Sequence, residues 1–310
     1  MLQEPIIEPI SREELEAELK KVRFVRTTNR GDNQIYDFVA SEAPALMREV
    51  GRLREIAFRK AGGGTGNSTD IDQYDISEIP FRQLIVWDPR EKEILGGYRY
   101  LHCKNLPQNQ EGTKYLATSH MFHFSDEFIR DYFPKTIELG RSFVQPMYQS
   151  SKYGAKTLYA LDNLWDGLGS LVVDNQGLRY FFGKVTMYTH YNQTARDYIL
   201  GFWRKYFRGN PNLIYAYNPI QITMTAEECD KIFVNNDLQA DYKILVKKVR
   251  ELGENIPPLV NAYMTLSPTM QSFGTAINDE FGDVEETAIL INLYDLYEKK
   301  AARHVETYKK

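Results

Sequence analysis

Glu138 and Arg141 are the residues best placed to do chemistry, because of the company they keep. They lie inside Thr136-Ile-Glu-Leu-Gly-Arg-Ser-Phe-Val144, where Ile137, Leu139 and Phe143 have the spacing of one face of a buried strand. A charge in an apolar strand needs a partner or a task. In a flat strand, side chains three apart point to opposite faces, so the carboxylate and the guanidinium would not share a site. Gly140 lies between them. A bulge there would insert one residue and bring both to the same side. Spacing alone leaves a structural ion pair, each charge partnered elsewhere, as the other reading.

Further charged positions precede this strand. Arg54 and Phe58 are one helical turn apart, Asp72-Gln-Tyr-Asp75 sets two carboxylates in a loop, and Arg99 sits in the apolar run Gly97-Tyr-Arg-Tyr-Leu101. Singly, each reads more simply as a solvated surface or cap charge. His120-x-x-His123 lacks a third ligand at a telling distance, so no metal is expected. Cys103 beside His102 reads as packing, since adjacent strand residues face opposite ways.

The elements that must position these groups follow from periodicity. Strands are expected over 22–28 and 34–40, a helix over 42–60 stopped by three glycines, a loop over 65–75, and strands over 81–87 and 94–103. After a short helix over 125–132 come the strand at 136–144, a helix over 153–173 and an apolar strand over 178–186. Leu158, Leu161, Trp165, Leu168 and Val172 share one face of that helix. Helices over 192–207, 225–235 and 238–252, a strand over 287–293 and a basic C-terminal helix complete the chain. The fold class is α/β, or α+β, with a main domain over 1–220 and a helical extension over 221–310 packed on it.

Composition sets limits. The 310 residues are 43% hydrophobic, enough for a sizeable core, and the net charge of −4 argues against nucleic acid as a partner. Residues 141–210 nonetheless hold nine basic and four acidic side chains, a local excess of five positive charges. Two distant cysteines and the lack of a secretory leader or an apolar run of membrane-spanning length lead to the expectation of a cytoplasmic protein.

Taken in order, these motifs resemble a known family. Arg54-x-x-x-Phe58, Asp72-Gln-Tyr-Asp75, the Gly97-Tyr-Arg99 strand and Glu138-Leu-Gly-Arg-Ser142 resemble the N-acyltransferases that include the acyl-homoserine-lactone synthases. The resemblance is closer to the ornithine-lipid and glycine-lipid N-acyltransferases, often labelled hemolysin-like. It extends through Pro146, Leu164-Trp-Asp-Gly-Leu168, Tyr180-Phe-Phe-Gly183 and Ile256-Pro-Pro-Leu-Val-Asn-Ala-Tyr263.

That resemblance implies a three-layer fold like the GNAT acetyltransferases, a mixed sheet splayed between two central parallel strands with helices on both sides. It implies transfer of a fatty acyl group, 3-hydroxylated in such enzymes, from a thioester to the α-amine of glycine or ornithine. No permanently bound cofactor is implied. Glu138, Arg141 and Ser142 would be catalytic. Glu138 would take the amine proton, and backbone N–H groups freed by a bulge near Ser142 would hold the oxyanion. Tyr188 or Tyr191 would protonate the thiolate. Arg54, Phe58, Asp72, Asp75, Arg99 and Trp165 would bind substrate, with Arg99 or Arg141 holding the acceptor carboxylate.

Gln149-Ser-Ser-Lys-Tyr-Gly-Ala155 departs from the CoA pyrophosphate loop, which favours acyl carrier protein over CoA as donor. Lys152, Lys156, Arg204 and Lys205 would form the surface that meets this acidic partner. Peripheral contact with the inner face of the membrane is compatible with the basic C-terminal helix, and the sequence does not decide whether that helix meets anionic lipid. A CoA-dependent acetyltransferase and a non-catalytic acyl-binding module are the competing readings.

Overall fold

The computed structural model of the protein describes residues 3–149 and 155–309. Each helix begins and ends where local chemistry dictates. In α1 (Arg12–Leu19) the Ser11 hydroxyl accepts the Glu14 amide. Strands β1 (Arg23–Thr27) and β2 (Gln34–Phe38) follow, then α2 (Pro44–Ala61), opened by proline and closed by Gly62 at φ 95°. The stretch 65–75 is a loop only in its first part. Asp72 and Asp75 form a capping box around the one-turn α3 (Gln73–Ile76).

Next come β3 (Arg82–Asp88), β4 (Glu93–His102), α4 (Gln110–Thr113), β5 (Phe122–Phe124), α5 (Asp126–Asp131) and β6 (Thr136–Val144). The long helix α6 (Ala155–Asp174) leads to β7 (Tyr180–Met187), α7 (Gln193–Tyr206) and β8 (Ile214–Ala216). The last part holds α8 (Ala226–Ile232), α9 (Leu238–Glu251), α10 (Pro258–Met264), β9 (Gln271–Asn278), β10 (Val284–Asn292) and α11 (Glu298–His304). No helix of the described residues is long and apolar enough to cross a membrane.

Eight strands form one sheet in the order β1-β2-β3-β4-β6-β7-β10-β9. All neighbours are antiparallel except β6 and β7, which α6 joins as a crossover. This parallel pair is registered only from Thr136↔Tyr180 to Leu139↔Gly183, although the strands run on to Val144 and Met187. The sheet therefore splits in its middle. At the last paired step a Cβ on Gly183 would stand 2.6 Å from the Leu139 carbonyl oxygen, so glycine permits the closest approach just before the strands part.

Helices α6, α7, α9 and α10 pack on one face around Tyr98, Ile137, Leu139, Phe181 and Val185. The other face carries α1 and α2 with Phe143, and a separate aromatic cluster around Phe124, Phe128 and Phe182. Two features lie outside the sequence expectations. β9 is an edge strand whose polar and small residues hide its alternation, and the two-stranded β5-β8 sheet pairs segments about 90 residues apart in the chain. Residues 271–292 thus complete the main sheet rather than only extending it with helices.

Candidate active site

The strand that carries Glu138 and Arg141 is bulged. Gly97 pairs with Phe143 and Arg99 with Gly140, so three steps of β6 match two of β4. The extra residue falls at Arg141–Ser142, one position beyond the glycine, and Arg141 takes up the bulge with φ 47°. Every side chain after the bulge changes face. Phe143 packs with α2 instead of following Ile137 and Leu139, which corrects the single apolar face read from the sequence.

Glu138, Arg141 and Ser142 consequently line one small cavity of about 50 Å³ at the split. Tyr98, Leu139, Ser142 and Tyr263 approach it from the α6 side of the sheet, and Arg99, Glu138, Lys184 and Glu286 from the other. The cavity therefore passes between the parted strands.

Glu138 and Arg141 share this space without bonding to each other. Arg141 Nε lies 2.8 Å from Asp70 Oδ2, its Nη2 lies 3.3 Å from Asp72 Oδ2, and its guanidinium stacks 4.2 Å over Phe281. Arg99 Nη1 donates to Asp72 Oδ1 at 2.7 Å and Asp75 Oδ2 at 3.1 Å. Arg54, wholly buried, donates to Asp75 at 3.2 Å and to the Gln83 side-chain carbonyl. Three arginines and three aspartates thus form one cluster of balanced charge behind the cavity. Burial works to raise the Asp72 pKa, but Arg99, Arg141 and Arg54 overcome it and hold this carboxylate well below its ordinary range.

Glu138 is in the opposite position. Its Oε2 accepts the Ala117 amide at 3.1 Å, while Oε1 makes no aligned hydrogen bond among the described residues. Burial pushes its pKa up to about 7, against the smaller opposing effects of Thr118, the Ala117 amide and the positive charges of Arg99 and Lys184. Three more buried polar atoms at the cavity have no aligned partner among the described residues: Arg99 Nε and the hydroxyls of Tyr98 and Thr118. Arg99 Nε lies 3.5 Å from where a Cβ on Gly140 would stand, so the missing side chain keeps open the space against this donor. Burial also raises the Tyr98 pKa, opposed by Ser142 and Tyr263. A buried acceptor and three buried donors on the lining of the same small space form a site arranged for a polar guest.

The remaining expected residues divide. Phe58 lines the cavity and meets Phe281 edge-on at 4.9 Å. Arg54, Asp72 and Asp75 stand behind it as supports. Trp165 is a core residue set edge-on to Tyr263 at 5.6 Å, one ring removed from the cavity. Tyr188 and Tyr191 do not line it. The first stacks on His190, and the second donates to the Asn255 carbonyl at 3.0 Å. Burial pushes both phenols up to about 12.

Arg204 donates to the Met224 carbonyl. Lys205 pairs with Asp230 and donates to the Phe233 carbonyl, leaving only 15% of its side chain exposed, so both tie α7 to the α8 segment. Lys152, the Lys156 side chain and residues 150–154 of the expected pyrophosphate-loop region lie outside the described residues. The C-terminal helix packs on α6 through Arg303 to Asp162 and His304 to Asp166, so these residues serve the fold rather than a lipid surface.

Sequence reasoning missed Lys184, Thr186, Glu286, Tyr98 and Tyr263 on the cavity wall. Lys184 Nζ lies 2.6 Å from Glu286 Oε2, Thr186 donates to Glu286 Oε1 at 2.9 Å, and Asn278 closes the group from β9 at 2.7 Å. Burial works to raise the Glu286 pKa, but Lys184 and Asn278 keep it below the ordinary glutamate value. The signal was available: Lys184 stands in an apolar strand just as Glu138 does. Tyr98 and Tyr263 were hidden among 21 tyrosines.

A splayed mixed sheet with a bulged central strand and a cavity in the split defines a GNAT-type acyltransferase. In agreement, residues 53–158 match the acetyltransferase (GNAT) domain family. The chain is 56% identical over 305 residues to a glycine N(alpha)-acyltransferase of Bacteroides thetaiotaomicron, spanning 98% of this chain and 90% of that protein. It is 52% identical to a second glycine N(alpha)-acyltransferase, from Phocaeicola vulgatus, over 99% of this chain and 94% of that one. A solved CoA-dependent acyl-homoserine lactone synthase aligns with 77% of this chain and 69% of its own, at 11% identity and a TM-score of 0.31. The chain is an N-acyltransferase, and it belongs to the family of these two glycine N(alpha)-acyltransferases.

Proposed function

We propose that the protein transfers a fatty acyl group, carried as an acyl carrier protein thioester, to the α-amine of glycine, giving an N-acyl amino acid for lipid synthesis. The observation that supports this best is Glu138: a buried carboxylate near neutral pKa, with one oxygen unpartnered in the split of the sheet. Glycine as acceptor is supported by the names of the two relatives and by the small cavity of about 50 Å³, which favours an amino acid without a side chain over ornithine. For the donor, the local basic excess and the altered loop at 149–155 favour a carrier protein over CoA. Arg204 and Lys205 lend this no support, being bonded within the fold. A product with one acyl tail and one carboxylate also fits brief contact with the inner face of a membrane.

In the reaction, the glycine nitrogen attacks the thioester carbonyl. Glu138 takes a proton from the amine, directly or through one water, as the C–N bond forms. Charge building on the carbonyl oxygen is met by backbone N–H groups of the bulge at Arg141–Ser142, and Arg99 Nε faces the same space. The C–S bond then breaks, and the thiolate takes a proton from the Tyr98 hydroxyl; Tyr98 recovers a proton from solvent and Glu138 gives up the amine proton to solvent before the next turnover. The arginine–aspartate cluster holds Arg99 and Arg141 in place.

The purified protein should convert glycine and a 3-hydroxyacyl carrier protein thioester to the N-acyl glycine, identified by mass spectrometry, with ornithine at least tenfold slower. Turnover with acetyl-CoA alone, or equal use of ornithine, would sink this reading.

A further inference from the structure

We infer that a second cavity, behind α7 and away from the split, binds a single-chain acyl carboxylate. The cavity holds about 270 Å³ and lies between α7, the segment 209–222, the edge strand β9 and its neighbour β10. That volume is close to the lower bound of ordinary small-molecule sites, about 300 Å³. Thr287 lines it and is the next residue after Glu286, so on β10 the two sites look out from opposite faces of the sheet.

The lining suits an amphiphile. Leu200, Trp203, Pro219, Ile220, Ile222 and Phe273 give an apolar wall. Trp203 is buried, and its indole N–H has no hydrogen-bond partner among the described residues. An unmatched buried donor costs about 1–3 kcal/mol, so it points to an acceptor supplied from outside. At the mouth, Arg208 is exposed and forms no ion pair among the described residues, while Arg204 uses one nitrogen on the Met224 carbonyl.

The chemistry discriminates among guests. A neutral apolar molecule would leave Arg208 and the indole N–H unmatched, and inorganic phosphate would leave the apolar wall wet. An organic cation would face two arginines. A carboxylate on an acyl chain meets all three features. A free fatty acid and an N-acyl amino acid share that chemistry, and the site is argued without the catalytic reading.

Three tryptophans, Trp87, Trp165 and Trp203, allow the site to be read directly. In protein labelled with 5-fluorotryptophan, laurate should shift the ¹⁹F resonance of Trp203, assigned with Trp203→Phe. If that variant does not fold, Trp87→Phe and Trp165→Phe assign it by elimination. The dissociation constant should rise at least tenfold in Arg208→Glu, Ile222→Asp should abolish the shift, and dodecanol should bind at least tenfold more weakly than laurate. N-lauroylglycine binding more tightly than laurate would identify the reaction product as the natural guest, and equal binding a fatty acid. The inference is overturned if the Trp203 resonance stays fixed at millimolar laurate, or if only Trp165, behind the catalytic cavity, responds. Equal binding of dodecanol with no effect of Arg208→Glu would overturn it as well.

Discussion

Two buried carboxylates, Glu138 in the split sheet and Asp166 in α6, are about equally shielded from water and differently satisfied. Asp166 accepts the Asn29 backbone amide at 2.8 Å and its side-chain amide at 2.7 Å, and meets His304 Nδ1 at 2.8 Å. Both its oxygens are occupied, and the group joins the β1–β2 turn, α6 and α11. Glu138 receives one aligned hydrogen bond, from the Ala117 amide, and its Oε1 has none among the described residues. Burial alone therefore does not mark a catalytic carboxylate. An unmatched oxygen is the better mark of a candidate base, because a saturated acid has nothing left to offer a substrate, whereas an unsaturated one carries a desolvation cost that a guest relieves.

The sharpest way to break this comparison is to neutralise each acid. Glu138→Gln should lower turnover at least about a hundredfold, the usual scale of a lost general base, while melting at or above wild type at pH 8. Asp166→Asn should do the reverse, lowering the melting temperature by several degrees through the loss of about 1–3 kcal/mol, with turnover retained at low temperature. If Asp166→Asn abolishes activity in a folded protein, saturation is the wrong criterion.

Titration gives a second test. Because the folded pKa of Glu138 lies at about 7, above its ordinary 4.5, the folded state is favoured while the group is protonated. That contribution is complete below about pH 4.5 and lost as pH rises to about 7. A tenfold change in proton affinity is worth about 1.36 kcal/mol, so the stability difference between wild type and Glu138→Gln, measured by denaturant unfolding, should change by roughly 3 kcal/mol in favour of the variant between pH 4.5 and 8. Turnover should rise with pH in the opposite sense, half-maximal near 7. A flat activity profile from pH 5.5 to 8.5 would remove Glu138 as the base.

Arg141 lies between the two cases. Arg141→Ala should lower both turnover and melting temperature, because Asp70, with no exposed surface, would lose the partner at 2.8 Å, and breaking a buried pair costs about 3–5 kcal/mol. The smallest effect belongs to Arg303→Ala. Its pair with Asp162 is exposed, so stability should change by less than about 1 kcal/mol and turnover not at all. A loss of several degrees there would show that α11 is held by more than the buried His304–Asp166 bond.

Much of this protein was legible in the chain. The strands β1 to β4, β6, β7 and β10, the helices α2 and α5 to α9, the glycine stop after α2 and the charged strand at the centre followed from periodicity and turn chemistry, which act within a few residues. The motif order identified the class. The bulge was also foreseen, though one residue early: Gly140 looks the natural place for a break, but the register against β4 sets it at Arg141. β9 and the β5–β8 pair were not legible, because their stability comes from partners far along the chain rather than from their own alternation.

The sequence by itself determined which ionisable groups exist and which of them fall in apolar strands. Only the tertiary structure decided which were left with something to bind. Glu138 meets Ala117, 21 residues away, Arg141 meets Asp70 across 71 residues, and Lys184 meets Glu286 across the sheet. Whether a buried polar atom is matched depends on every group around it, and those groups are brought together only by the completed fold.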